Sequence, residues 1–561
     1  MLIVMNYNRL LACLGLFCLA GWLLACREDG TADVPQPKTV TVSSLDPATA
    51  PVGSTIAVNG TNFSTDPTST TITIGGVPAT IVSASATRLV VTVPDGAANG
   101  PVAVSTGGQT VQSPTLFTVA PRPLKPVVEV QGTRFANQTW DKDTIYLLRG
   151  MVYIPADYTL TIEPGTVIKG AGPDRDPAGR NMAGTLIVER RGRIIARGTA
   201  QQPIVFTSAK PAGQRNYGDW GGVVLVGKSP VNRPGLTSYP GGVRGPVETY
   251  SEPFDNTGIF EYVRIEFAGT PLPATPDNRL SGLTFLGVGS NTVVNHVQVS
   301  YSSGDAFGWF GGTVNAKHLV AFRAAGDDWS TDWGHTGNVQ FGVALRDPDV
   351  SDPAGVYGFL SQNFDPGENA DGSPLSKGNG SPQTAPVFAN MSNFAFGGAP
   401  TGAAYRAGML LRRNTAISVY NSLIYGYPEG VRLEGTATGA GLGNGALDLK
   451  GIVLANVQTP VVGGDGMPTE QATSYFAAAG RNNQIIASAD VASLLLNGAN
   501  FSLTAPNFLP QSGSPLLSGA VSGGKLADPF FTPVSFRGAF GTTNWTAGWT
   551  NFTPQTADYD R

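Results

Sequence analysis

The stretch NHVQVSYSSGDAFGWFGGTVNAKHLVAFRAAGDDW, Asn295–Trp329, repeats itself. A shift of 22 places lays His296 on His318, Val297 on Leu319, Gly304 on Gly326, Asp305 on Asp327 and Phe307 on Trp329. A second shift of 22 reaches Gln340, Phe341, Val343 and Asp349. A constant period with like residues in like places is what stacked turns of a parallel β-helix require, because each coil adds one rung and neighbours bury each other's inward side chains.

Working outward, the same grammar of short apolar strand, Gly or Asn turn and short strand runs from Val127 to the C-terminus: LTIEPGTVIKG, GTLIVERRGRIIARG, WGGVVLVGKSPV. Later, NSLIYGYPEGV (421–431) and GIVLANVQTPV (451–461) align at an offset of 30, a rung with an insertion. Composition agrees. Of 561 residues, 72 are Gly and 42 Pro, only 14% are charged and the net charge is −4, which favours strands and tight turns over helices. No Lys/Arg cluster provides the electrostatic footprint that a phosphate backbone needs, so nucleic acid is excluded as a partner.

Residues 38–120 read as a separate small sandwich. Val40 and Val42, Ile56 and Val58, Ile72 and Ile74, Leu89, Val91 and Val93, and Val102 and Val104 alternate with polar neighbours, between turn signals such as Gly75-Gly76 and Gly107-Gly108. The order SSLDPATAPVGSTIAVNGTNFS, TITIGGVPATIVSASATRLVVTVPDGAANGPVAVST, LFTVA resembles an IPT/TIG domain, an immunoglobulin-like fold that serves as a spacer or binding module. A Pro-rich linker, 121–126, follows. The runs GDWGGVVLVGKSPVN, YVRIEFAG and GDDWSTDWGHTGNVQFGV, with RGAFGTTNWTAGWTNF near the end, resemble the β-helix of Bacteroidetes surface lipoproteins. The resemblance implies a right-handed, pectin-lyase-like parallel β-helix over 127–561, and no particular activity. The fold class is all-β throughout.

At the N-terminus an apolar run ends in Leu23-Leu24-Ala25-Cys26 and is followed by Arg27-Glu28-Asp29. It is too short for a membrane span, has the form of a secretory signal over 1–25, and resembles a bacterial lipobox. Cys26 would be lipidated and 26–37 would be a tether to the outer membrane, surface-exposed. The other cysteines, Cys13 and Cys18, precede the cleavage point, so no disulfide or thiolate chemistry is available downstream.

Two site readings compete. Trp309, Trp329 and Trp333, among Asp and Asn, are residue types that grip sugar rings by stacking and hydrogen bonding, which predicts a glycan or other surface ligand, passed on to an outer-membrane transporter or held in adhesion. Alternatively Asp305, Asp327 and Asp328 on adjacent coils could serve a polysaccharide hydrolase or lyase, with His335 and Arg264 as helpers. Asp327, Asp328 and Asp332 are dense enough to hold Ca²⁺ through oxygen ligands, and equally suited to capping turns, the role expected of Asp305 and Asp349. No cofactor is otherwise required. His296 and His318 are expected to stack as a structural ladder, and Trp140, Trp220, Trp545 and Trp549 to pack or cap the ends of the coil. Binding is the reading preferred over catalysis.

Overall fold

A computed structural model describes residues 38–233, 242–244, 251–273, 275–353, 355–363, 380–396 and 404–561. The signal segment, Cys26 and most of the tether lie outside the described residues.

The chain divides into two compact units, Met1–Pro123 and Leu124–Arg561. The described part of the first is a β-sandwich of antiparallel strands. Thr55–Thr61 pairs with Thr41–Asp46 and Arg88–Thr92, Thr70–Ile74 pairs with Val102–Thr106, and Thr49–Pro51 runs parallel to Thr118–Ala120. The alternating residues Ile56, Val58, Ile72, Ile74, Leu89, Val91, Val102 and Val104 converge with Phe63 and Phe117 in one core. Period-2 patterning therefore selects the buried face directly.

In the second unit, twenty-six strands among the described residues join one parallel sheet wound into coils. Each middle coil carries a short strand and a long bent one. The short ones stack as Gly222–Val226, Leu283–Leu286, Phe307–Phe310, Trp329–Asp332 and Val356–Gln362. The bent ones stack as Gly258–Glu266, Val293–Ser300, Asn315–Phe322, Asn338–Leu345 and Val387–Phe394. The 22-residue register holds from Val297 to Leu319 and from Phe307 to Trp329, but the next coil advances by 23, Leu319 pairing with Gly342. His318 is thus followed by Phe341, not Gln340. The offset of 30 is found as expected, Leu423 pairing with Val453 and Val431 with Val461.

The bend in each long strand is a residue in the left-handed region: Tyr262 (φ 50°), His296 (53°), His318 (55°), Phe341 (64°), Asn390 (56°) and Asn421 (51°), then Gly451 (70°). A single left-handed residue turns the chain sharply between two faces. Gly and Asn take that conformation most easily, and where other residues stand in its place stacked rings offset the strain. Tyr262, His296, His318 and Phe341 stack in sequence with centroids 4.3, 4.3 and 5.2 Å apart, so the histidine ladder is real and longer than two rungs.

Residues Leu495–Arg561 contain short 3₁₀ turns but no strand. They run back along the outside of the ladder towards the first coils: Val521 lies on Asn421, Thr532 on Gln340, Trp545 beside His318, Trp549 beside His296, Asn551 on Gln298 and Tyr559 on Glu266. Of the two roles expected of Trp545 and Trp549, end-cap or packing, they take the second, on the flank of the middle coils. The outward polar side chains of the coil need partners, and this strap supplies them. Trp140 does sit in the first coils, stacked 4.7 Å from Tyr146, while Trp220 is buried in the common core. Among the described residues no helix is long and apolar enough to cross a membrane.

Candidate functional site

The tryptophans predicted to face a ligand do not. Trp309 and Trp329 are 0% exposed and Trp333 5%. Alternation along Phe307–Phe310 turns Phe307 and Trp309 into the coil, where Phe307 stacks on Trp329 at 5.3 Å and Trp309 on Phe285 at 5.7 Å. Trp333 lies outside the coil, but packed against Phe310 at 5.2 Å and under a loop that includes Val231, with its carbonyl accepting from Asn232 N–H. As an open aromatic platform this trio is ruled out by packing.

The carboxylates are also dispersed. Asp305 Oδ1 accepts from the backbone N–H of Asp327 at 2.8 Å, and Asp327 Oδ1 accepts from that of Tyr357 at 2.7 Å. Each caps the next coil, as the turn-cap reading expects. Asp328, one residue on, points the opposite way into the core, where Arg346 Nη1 donates to it at 2.7 Å, Asn393 at 3.2 Å and Tyr427 at 3.3 Å. Asp332, at the far end of the strand, accepts from Trp333 N–H and Gln362. Asp327 and Asp328 stand before the strand Trp329–Asp332 and point apart, and Asp332 lies at its far end, so the three do not converge on one cation; no group of three or more His, Cys, Asp or Glu among the described residues is disposed as a metal site. Burial raises Asp305, Asp328 and Asp332 to about 6 and Asp327 well above the ordinary carboxyl range, Asp305 adding to the last. The supposed helpers stand elsewhere: His335 is inside the coil, stacked on Trp309, and Arg264 faces Glu266 under the strap.

A pocket does form between the ladder and the strap. It encloses about 390 Å³ and is lined by His318, Phe341, Phe536 and Trp545, with Ser535, Thr542 and Thr543. Its walls are largely aromatic: Trp545 lies 5.3 Å from His318, whose two faces are covered by His296 and Phe341, and stacks 5.0 Å from Phe540 behind it. Burial, then the neighbouring His296 and Lys317, lower His318 to about 3, so near neutral pH its ring is uncharged. Aromatic faces with hydroxyls are chemically able to take a ligand with an apolar face and hydroxyl groups, and the volume is that of a small-molecule site. Trp545, expected as an end-cap or packing residue, was not expected to line a pocket. The signal available was the corner series itself, His296, His318, Phe341, once the spacing of 23 is allowed.

Coil, ladder and strap define a parallel β-helix protein preceded by an immunoglobulin-like sandwich. The chain belongs to the family described as a pectate-lyase-like β-helix domain, which matches residues 132–550, and residues 40–119 match the IPT/TIG domain. No curated protein matches the chain. Among solved structures, it is similar to an auxiliary nutrient binding protein from Bacteroides ovatus, at 26% identity over 15% of this chain and 21% of that one, TM-score 0.15. A second, an auxiliary nutrient binding protein from Bacteroides thetaiotaomicron, gives 26% identity over 15% and 21%, TM-score 0.14. The likeness thus spans about a fifth of either structure.

Proposed function

We propose that this chain is a lipid-anchored outer-membrane surface protein that holds an extracellular ligand, a glycan first among candidates, without cleaving it, in nutrient capture or adhesion. The observation that carries the reading is the pocket of His318, Phe341, Phe536 and Trp545, where aromatic side chains and the hydroxyls of Ser535, Thr542 and Thr543 line one opening. An enzyme of the alternative kind needs two or three open carboxylates at controlled separation. Here Asp305 and Asp327 each commit an oxygen to a neighbouring coil, and Asp328 is enclosed in the core.

Cleavage of a glycan keeps one supporting observation, the raised pKa of the adjacent Asp305 and Asp327, which would suit a general acid. One experiment separates the two. Residues 27–561 are incubated with neutral and acidic polysaccharides, with and without calcium, and retention and polymer length are followed together. Retention with intact polymer, weakened in Trp545→Ala and unchanged in Trp329→Phe, is expected; shortened polymer that depends on Asp327 would sink the binding reading. Anchoring through Cys26 is tested by fatty-acid labelling, lost in Cys26→Ala.

A further inference from the structure

On the same flank, further along the coil, the outward residues of two neighbouring strands form a polar square. Ser418–Tyr420 pairs in register with Asp448–Lys450, Ser418 beside Asp448 and Tyr420 beside Lys450. Val419 and Leu449 turn into the core, so the other four side chains face outward together. Asp448 is the one acid in this square. Tyr420 Oη donates to it at 2.8 Å, Lys450 Nζ lies 3.0 Å away, and Arg481 Nη1, from the following coil, donates at 2.9 Å.

The strap closes one side. Lys525 reaches in from it, and its ammonium donates to two neutral oxygens, Ser418 Oγ at 2.8 Å and the Ala446 carbonyl at 3.1 Å. Between these groups lies an open cavity of about 520 Å³. Its rim at Gly480, Gly523 and Gly524 is bare backbone, and a Cβ added at any of the three would meet nothing within 4 Å. Lys450 and Lys525 line the space, and Asp448, the one carboxylate in the lining, is also paired with Arg481, so positive charge is in excess around a space open to solvent. Such a site attracts an anion, and ammonium groups with free donor capacity form charge-assisted hydrogen bonds to oxyanions.

We infer that this cavity is an oxyanion-binding site, taking a sulfate, phosphate or carboxylate group between Lys450 and Lys525. It goes beyond the Trp545 pocket and does not depend on it. The group could be free in solution or carried on a polymer, and the chemistry of recognition is the same.

The test is equilibrium dialysis of residues 27–561 against radiolabelled inorganic sulfate at fixed ionic strength, with chloride as the balancing anion. One saturable equivalent per chain is expected. Lys525→Ala and Lys450→Ala should each weaken it about tenfold, the loss of one charge-assisted bond, while Lys525→Arg retains it. Lys525 lies on the exposed strap, so its replacement leaves the core untouched, and thermal melts verify this. Binding no stronger than that of chloride, or parental affinity retained in both alanine variants, overturns the inference. Competition by dextran sulfate but not by dextran would mark a polymer-borne group, and displacement by inorganic anions alone a free one; both support the site. Trp545→Ala should leave sulfate binding unchanged, so the failure of either proposal is seen separately.

Discussion

Gln340 grips the backbone of Thr532 with both ends of its amide: Nε2 donates to the Thr532 carbonyl and Oε1 accepts from its N–H, each at 2.8 Å. Gln298 holds Asn551 in the same way, at 2.7 and 2.8 Å, and Asn421 holds Val521 at 2.9 and 2.7 Å. Three outward amides, one on each of three coils, thereby do for the strap what a neighbouring strand would do. The strap has no ladder of its own, so these clamps and the ring contacts fix its path.

Breaking one clamp should therefore loosen the strap before it unfolds the coil. Gln340→Glu keeps the acceptor but sets a carboxylate oxygen against the Thr532 carbonyl. The expected cost is about 1–3 kcal/mol, the usual penalty for an unsatisfied buried polar group. Chemical denaturation measures the global loss. Limited proteolysis within Leu495–Arg561 should accelerate by more than that loss predicts, because opening is local; equal effects would show that strap and coil unfold as one unit.

Asn421 has two duties, a left-handed corner (φ 51°) and a clamp. Asn421→Gly keeps the corner conformation at little strain and loses the clamp, whereas Asn421→Ala loses the clamp and adds the left-handed penalty, about 1 kcal/mol. Ala should thus be the more destabilising by about that amount in urea melts. Equal losses would mean that the corner carries no conformational selection.

The coil was legible because Val297, Leu319 and Phe307, Trp329 recur where stacking demands like residues, and the sandwich because Ile56, Val58 and their partners alternate. The position of the rings was not. Phe307 and Trp309 evidently share a face, but the sheet beside them is apolar on both sides: Leu283 and Phe285 point inward, while Leu286 and Phe310 sit under a loop cover. Alternation alone cannot say which side is the interior when a loop buries the outside too. The fate of Trp545 was hidden for another reason. Leu495–Arg561 has no period, so nothing local reveals that its partners are Gln298, Gln340 and Asn421, up to 253 residues away. The adjacent Asp327 and Asp328 looked like one cluster in sequence, but just before the strand Trp329–Asp332 they point apart, one to the next coil and one into the core.

Opposing titrations meet between pH 4 and 6.5. His318 is lowered from 6.5 to about 3, and His296 and His335 to about 4, in each case chiefly by burial. These bases contribute stability that is present above 6.5 and lost as pH falls towards their folded values. Asp305, Asp328 and Asp332 are raised from 3.8 to about 6 by burial, so their contribution is present below 3.8 and lost as pH rises through 6. The parent should show a shallow profile in this window. His318→Asn keeps a residue suited to φ 55° and removes one rising component, so its stability should change with pH more negatively, by up to about 1.4 kcal/mol per pH unit. Denaturation at several pH values checks this, and parallel profiles would show that His318 is not held neutral by the fold.

Asp328 and Arg346 form an ion pair at 2.7 Å with both side chains fully enclosed in the coil. Two charges taken from water attract each other strongly only while both remain. Asp328→Asn leaves the guanidinium without a counter-charge, and Arg346 Nε and Nη2 already lack partners, so the expected loss is about 3–5 kcal/mol. Replacing both by apolar residues of similar size, Asp328→Leu with Arg346→Met, should recover much of that loss, since the desolvation cost of the pair disappears with it. The same comparison bears on function. If Asp328 only holds the core together, the double variant regains ligand retention along with stability. If Asp328 acts on substrate, stability returns and function does not, and the carboxylate must then reach solvent by a motion of the coil that its present packing forbids.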